Sequence, residues 1–148
     1  MKNENYEHVK AIRDELFDIV NGEYKEVDGD AVKVQEDENG YKYVEADGNL
    51  YTEDPDADGD NVYPLDDLED YTLFEYFADV LDVEYTTDYR KEYKAVRLMI
   101  ACGGPNIYVD TRRGTVDLYW WTEEAHIDLD KEVIEEIDSI YSEIFYTC

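Results

Sequence analysis

Between Glu36 and Asp88 the chain carries nineteen acidic side chains and a single base, Lys42. No other feature constrains the fold as much. A carboxylate taken out of water without a partner is costly, so this middle third must keep nearly all its acids outside and build its interior from what remains. Its densest part is EDPDADGDNVYPLDDLED, residues 53–70, where nine of eighteen side chains are carboxylates and none is basic. Such a stretch can hold a cation, imitate a polyanion, or serve as solvated surface.

The imbalance extends to the whole chain, in which 40 Asp and Glu stand against 13 Lys and Arg for a formal charge of −27 over 148 residues. A soluble domain needs a net charge of only about 2 to 8 in magnitude, and more than that strains the compact state. On the scale of duplex DNA, with one charge per ~1.7 Å, the excess equals roughly 46 Å of double helix, close to the ~40 Å width of a globule of this length. Salt-loving hosts favour acidic surfaces but tend to avoid lysine and large apolar residues; here Lys (8) outnumbers Arg (5). A disordered acidic tail is excluded by 43% hydrophobic and 14% aromatic residues, enough for a packed core. One domain over residues 1–148 is therefore expected, with an acidic loop at about 53–70.

MKNENYEHVKAIRDELF offers no apolar core for a signal peptide, and no run approaches the ~18 apolar residues of a membrane span. The expected address is the cytoplasm, with no membrane partner. Cys102 and Cys148 could form at most one bridge.

Hydrophobic spacing predicts a helix over 4–21 from Tyr6, Val9, Ile12, Leu16, Ile19 and Val20, ending at Gly22. A hairpin follows, with Val32 and Val34 on one arm, Tyr41 and Tyr43 on the other and Asn39-Gly40 at the bend; Asp47-Gly48 marks another turn. Thr72 and Glu75 match a capping box for a helix over about 70–82. Alternation then predicts strands at 92–101, 106–110 and 115–121, with AHIDL as a short edge, and a last helix from Asp130 turning Val133, Ile134, Ile137, Tyr141, Ile144 and Phe145 inward. The fold class is α+β: an antiparallel sheet, made of an N-terminal hairpin and a C-terminal three-stranded meander, packed by about three helices.

Three chemistries compete for the functional residues. Asp54, Asp56, Asp58, Gly59 and Asp60 match the opening of an EF-hand loop, but Asn61 stands where an apolar residue belongs and Leu65 where the bidentate Glu belongs. Starting instead at Asp56 brings Asp67 to the last position and puts Asn61 in place of the glycine. A calcium-responsive binding module using the 54–67 loop, with Asp54, Asp56, Asp58 and Asp60 as ligands, is the alternative expectation. An enzyme built on Cys102, with His126 as base and Asp128 as orienter, is formally available. Cys102 ends an apolar strand, however, and reads as a small buried residue, with Gly103 and Gly104 making the turn. The two histidines are not at zinc spacing, and Gly103-Gly104-Pro105-Asn106 lacks the lysine and helix of a phosphate loop. Neither catalysis nor a cofactor is expected.

The segment ACGGPNIYVDT, residues 101–111, followed by VDLYWW at 116–121, resembles a signature of small acidic proteins of unassigned function carried by bacterial plasmids, conjugative elements and phages. The likeness runs from about Tyr85 to the last helix and transfers no functional residue. It implies a setting in which anti-restriction and anti-CRISPR inhibitors, many of them acidic DNA mimics, are common.

Charge and setting together favour the mimic. A groove that tracks phosphates with Lys and Arg can be filled by carboxylates at similar density. The expected protein is an inhibitor of a bacterial defence nuclease, with Glu36, Asp37, Glu38, Asp47, Glu53, Asp54, Asp56, Asp58, Asp60, Asp66, Asp67, Glu69 and Asp70 meeting the partner's basic groove. Tyrosines beside acids, namely Tyr24, Tyr51, Tyr63, Tyr71, Tyr76 and Tyr85, could stack where a base would sit.

Overall fold

The computed structural model describes residues 2–147, so any bridge between Cys102 and Cys148 lies outside the described residues. The chain begins with helix α1 (Lys2–Asn21), followed by strands β1 (Tyr24–Val27), β2 (Asp30–Lys33), β3 (Gln35–Glu36), β4 (Lys42–Ala46), β5 (Asn49–Thr52) and β6 (Val62–Pro64). A 3-10 turn (Leu65–Asp67) and the short helix α2 (Leu73–Tyr76) come next. Strands β7 (Asp82–Thr87), β8 (Tyr93–Ala101), β9 (Asn106–Asp110), β10 (Thr115–Trp120) and β11 (Glu123–Asp128) precede helix α3 (Lys131–Thr147). None of the helices is long and apolar enough to cross a membrane.

The chain divides into two compact units, Met1–Val20 with Leu73–Cys148, and Asn21–Thr72. In the larger, the strands form an antiparallel meander in the order β11-β10-β9-β8-β7. Alternation assigns one face to Val96 and Leu98, Ile107 and Val109, Val116 and Leu118, and Ala125 and Ile127, all buried. Val9, Ile12, Leu16 and Ile19 form the buried stripe of α1. Ile12 lines a small cavity with Ile100 and Ile107, and α3 packs along β8 through its buried stripe of Val133, Ile137 and Tyr141. Each fully buried Leu or Ile here is worth about 1.5–3 kcal/mol of transfer free energy. Tyr93 of β8 ties the sheet to α3 by donating its hydroxyl to Asp138 Oδ1 at 2.6 Å; burial and that carboxylate raise its pKa far above the usual phenol value.

The expected meander is thus present with the AHIDL edge strand as β11, and it is extended on the other side by one strand that was not expected, β7. The second helix is much shorter than 70–82. After Phe77 the backbone turns tightly, with Val80 N bonding to Phe77 O, and Leu81 N then bonds to Met99 O, so sheet pairing takes the chain away from the helix. β7 carries the charges Asp82 and Glu84 on an edge, which discourages pairing with another chain.

The smaller unit holds a two-stranded sheet, β1-β2, and a four-stranded sheet in the order β3-β4-β5-β6. The architecture is α+β and mainly antiparallel, but it has three sheets rather than a hairpin and a meander, and β5 pairs with β6 in parallel. The bend at Asn39-Gly40 joins β3 to β4 as expected, whereas β2 pairs upstream with β1. The cause is the Asp28-Gly29 turn: both residues have positive φ (51° and 86°), as do Asp47 and Gly48 (53° and 82°) between β4 and β5. That geometry suits the two-residue hairpin turn whose twist matches its strands. The 53–70 segment is not wholly loop, since β6 and the 3-10 turn lie within it, and Leu65 is buried.

Candidate partner-binding surface

All thirteen acids assigned to the partner surface fall in the smaller unit. Residues 21–72 contain eighteen acids and three bases, a formal charge of −15; fifteen of those acids are exposed, and Glu26, Asp37 and Asp54 are half-buried. Two of the three lysines are already used. Lys25, buried, places Nζ 2.7 Å from Asp70 Oδ1, and Lys42 Nζ lies 2.9 Å from Glu23 Oε1. Lys33 is left without an ion pair among the described residues.

The acids are set by local backbone geometry. Asp37 Oδ1 accepts from the backbone N of Asn39 and Tyr41, both at 2.9 Å, fixing the β3–β4 bend, with Glu36 and Glu38 exposed beside it. Glu53 Oε1 accepts from Lys42 N at 3.1 Å. Asp54 Oδ1 accepts from Asp56 N at 2.9 Å, while Asp54 N donates to Thr52 Oγ1 at 3.0 Å. These bonds start the turn that carries Asp56, Asp58 and Asp60 outward. Asp66 and Asp67 lie in the 3-10 turn, and Glu69 and Asp70 follow it, all exposed. Asp47 is brought against Asp28 of the other Asp-Gly turn; a hydrogen bond between their side chains and their mutual repulsion raise the Asp28 pKa. Asp28 was not among the expected site residues, although an aspartate in a turn of the same kind was a readable signal.

Glu53, Asp54 and Asp66 share an open cleft of about 520 Å3 with Val62, Tyr63 and Leu65. Tyr63 is exposed and stacks on Tyr51, with ring centroids 5.5 Å apart. Tyr24, Tyr51, Tyr71, Tyr76 and Tyr85 are half-buried. As for the cation reading, no three His, Cys, Asp or Glu side chains are gathered at metal-binding geometry among the described residues, Asp54, Asp56, Asp58 and Asp60 included.

In the larger unit a second polar group lies on the sheet face opposite the apolar one. Asp117 of β10 is fully buried; His126 Nδ1 donates to its Oδ1 at 2.7 Å and Arg113 Nη1 to its Oδ2 at 3.3 Å. The bond to Asp117, opposed by partial burial, raises the His126 pKa. Asp117, rather than Asp128, is therefore the carboxylate that orients His126. Cys102 takes no part: it is exposed, contrary to the burial expected of it. A register shift between Met99 and Ala101 breaks the alternation of β8, and the chain leaves the sheet at Cys102. Gly104 makes the next turn because a side chain there would meet the Trp120 ring, at 2.7 Å from an added Cβ.

No family model, curated protein or solved structure matches the chain.

Proposed function

We propose that the protein is an acidic nucleic-acid mimic that inhibits a bacterial defence nuclease, of the anti-CRISPR or anti-restriction kind, by filling its basic groove with residues 21–72. The resemblance to acidic proteins of mobile elements supplies the setting. The observation that carries the reading is a charge of −15 on a 52-residue unit in which no acid is buried. At duplex spacing this equals about 26 Å of double helix, against a width of about 25 Å for a compact unit of that length.

Turn hydrogen bonds at Asp37 and Asp54 and the cross-strand bond from Lys42 N to Glu53 support a firm display, so little ordering entropy is lost on binding. The cleft of Glu53, Asp54 and Asp66 over Val62 and Leu65 suits a lysine or arginine reaching out of the groove: carboxylates for the head, apolar surface for the stem. Inhibition is stoichiometric, needs no cofactor and involves no direct contact with nucleic acid.

The reading is tested with a variant in which Glu53, Asp54, Asp56, Asp58, Asp60, Asp66, Asp67, Glu69 and Asp70 are changed to the corresponding amides. The variant is expected to lose inhibition while the larger unit keeps its melting behaviour. Full inhibition by that variant would remove the tract from the mechanism.

A further inference from the structure

Three of the chain's five arginines converge where its charge predicts none. Arg97, Arg112 and Arg113 line an open cavity of about 420 Å3 on the polar face of the five-stranded sheet, together with Glu84 and Asp110. Register places Glu84 beside Arg97 and Arg97 beside Asp110 on adjacent strands, and Arg112 and Arg113 follow Asp110 in the β9–β10 turn.

The cavity is braced. Asp110, itself buried, accepts from the backbone N of Arg112 at 2.9 Å and of Arg113 at 3.2 Å, which fixes the turn. Arg97 lies over the Tyr108 ring, 3.6 Å from its centroid, and donates Nη1 to Glu84 Oε2 at 3.1 Å. Arg113 is held through Nη1 by buried Asp117 and by the Tyr119 hydroxyl, both at 3.3 Å. Each of these two guanidiniums uses only Nη1 in those bonds, so Nη2 and Nε remain as donors. Arg112 goes further: among the described residues its exposed guanidinium has no ion pair, in a chain with three acids for every base.

We propose that this cavity binds the phosphate group of a small phosphorylated molecule. Three guanidinium forks face more acceptor sites on a phosphate monoester, with its three terminal oxygens, than on a carboxylate. The lining charges sum to +1, and Asp117, behind the cavity, is engaged with Arg113 through Nη1 alone. A compact anion can reach the unused donors of Arg97 and Arg113 and the unpaired guanidinium of Arg112 together. A long polyanion extends beyond the cavity over a chain of net charge −27, so nucleic acid is the wrong ligand. Glu84 competes with that phosphate for Arg97.

The test is a titration of the full chain with inorganic phosphate and with ribose 5-phosphate, followed by the NMR signals of the arginine Nε–H groups. Sodium chloride at matched ionic strength is the control, because any salt steadies so acidic a protein. Saturable shifts of the Arg97 and Arg113 signals are expected with both phosphates and not with chloride. Arg112→Gln should weaken binding about tenfold, the loss of roughly one charge-assisted hydrogen bond, and Glu84→Gln should tighten it. The assignment is overturned by equal shifts in chloride, by unchanged affinity in Arg112→Gln, or by a short single-stranded oligonucleotide that binds more tightly than phosphate.

Discussion

Residues 21–72 carry a charge of −15 over two buried apolar side chains, Val44 and Leu65, whereas the larger unit carries −12 over nineteen among the described residues. Per residue, the smaller unit holds more than twice the charge. The larger unit's charge equals about 20 Å of duplex against a width of about 32 Å, so it falls short of the density that a phosphate-tracking groove expects. One unit is shaped by its core and the other by its turns. The smaller unit's backbone is held by Asp-Gly hairpin turns, by carboxylates bonded to backbone N–H groups, and by the buried Lys25 tied to Asp70. Such a construction displays charge well and resists unfolding weakly.

The largest effect that sharpens this contrast is a cavity in the larger core. Leu118→Ala is expected to cost about 2–5 kcal/mol and lower the melting temperature of the larger unit. Val44→Ala, which deletes two buried methyl groups, should cost about 1.5–3 kcal/mol and speed hydrogen exchange in β4 and β5 while leaving β9 and β10 protected. Equal loss of protection in both units after Val44→Ala would break the contrast.

Salt is the next lever. Raising ionic strength from about 0.01 M to about 1 M shortens the screening length from roughly 30 Å to 3 Å. Exchange at the Val44 and Tyr51 amides should slow by about tenfold, equivalent to ~1.4 kcal/mol, with much less change at Leu118. A uniform response across both units would mean that the charge is not concentrated where its effect on stability is.

The smallest effects are in pH. His126 has a raised pKa in the fold, so its contribution is complete below the unfolded value of 6.5 and is lost as pH rises through the folded value. Thermal melts of the larger unit should show that step, and His126→Gln should flatten it. Asp28 is raised as well, so its contribution is present below 3.8 and lost as pH climbs through the carboxylate range. Asp28→Asn should therefore steady the smaller unit slightly at neutral pH and leave it unchanged in acid.

Legibility followed the same division. In the larger unit, alternation in the NIYVD and VDLYWW runs and the apolar stripes of α1 and α3 located the meander and both long helices, because a thick core imposes periodicity on sequence. β7 was hidden because its outward positions, Asp82 and Glu84, continue the acidic run and its start overlaps an apparent helix. In the smaller unit Asn39-Gly40 and Asp47-Gly48 were readable as turns, but the partner of β2 was not, since with so little interior the register depends on the Asp28-Gly29 turn and not on a buried face. Asp117 showed only as a polar residue in an alternating strand; the histidine that completes it stands nine residues away on β11, and the arginine lies in the preceding turn. The acids proposed to meet a partner were plain from composition, while their gathering in one unit appeared only with the fold.

The most direct test is displacement of nucleic acid from a panel of purified defence nucleases by the protein, measured at low and high salt with the wild type and the nine-amide 53–70 variant. The prediction is a nuclease from which the wild type displaces nucleic acid in stoichiometric amounts, steeply less well as salt rises, with the variant inactive throughout. Displacement that is indifferent to salt, or equally strong in the variant, would contradict the account.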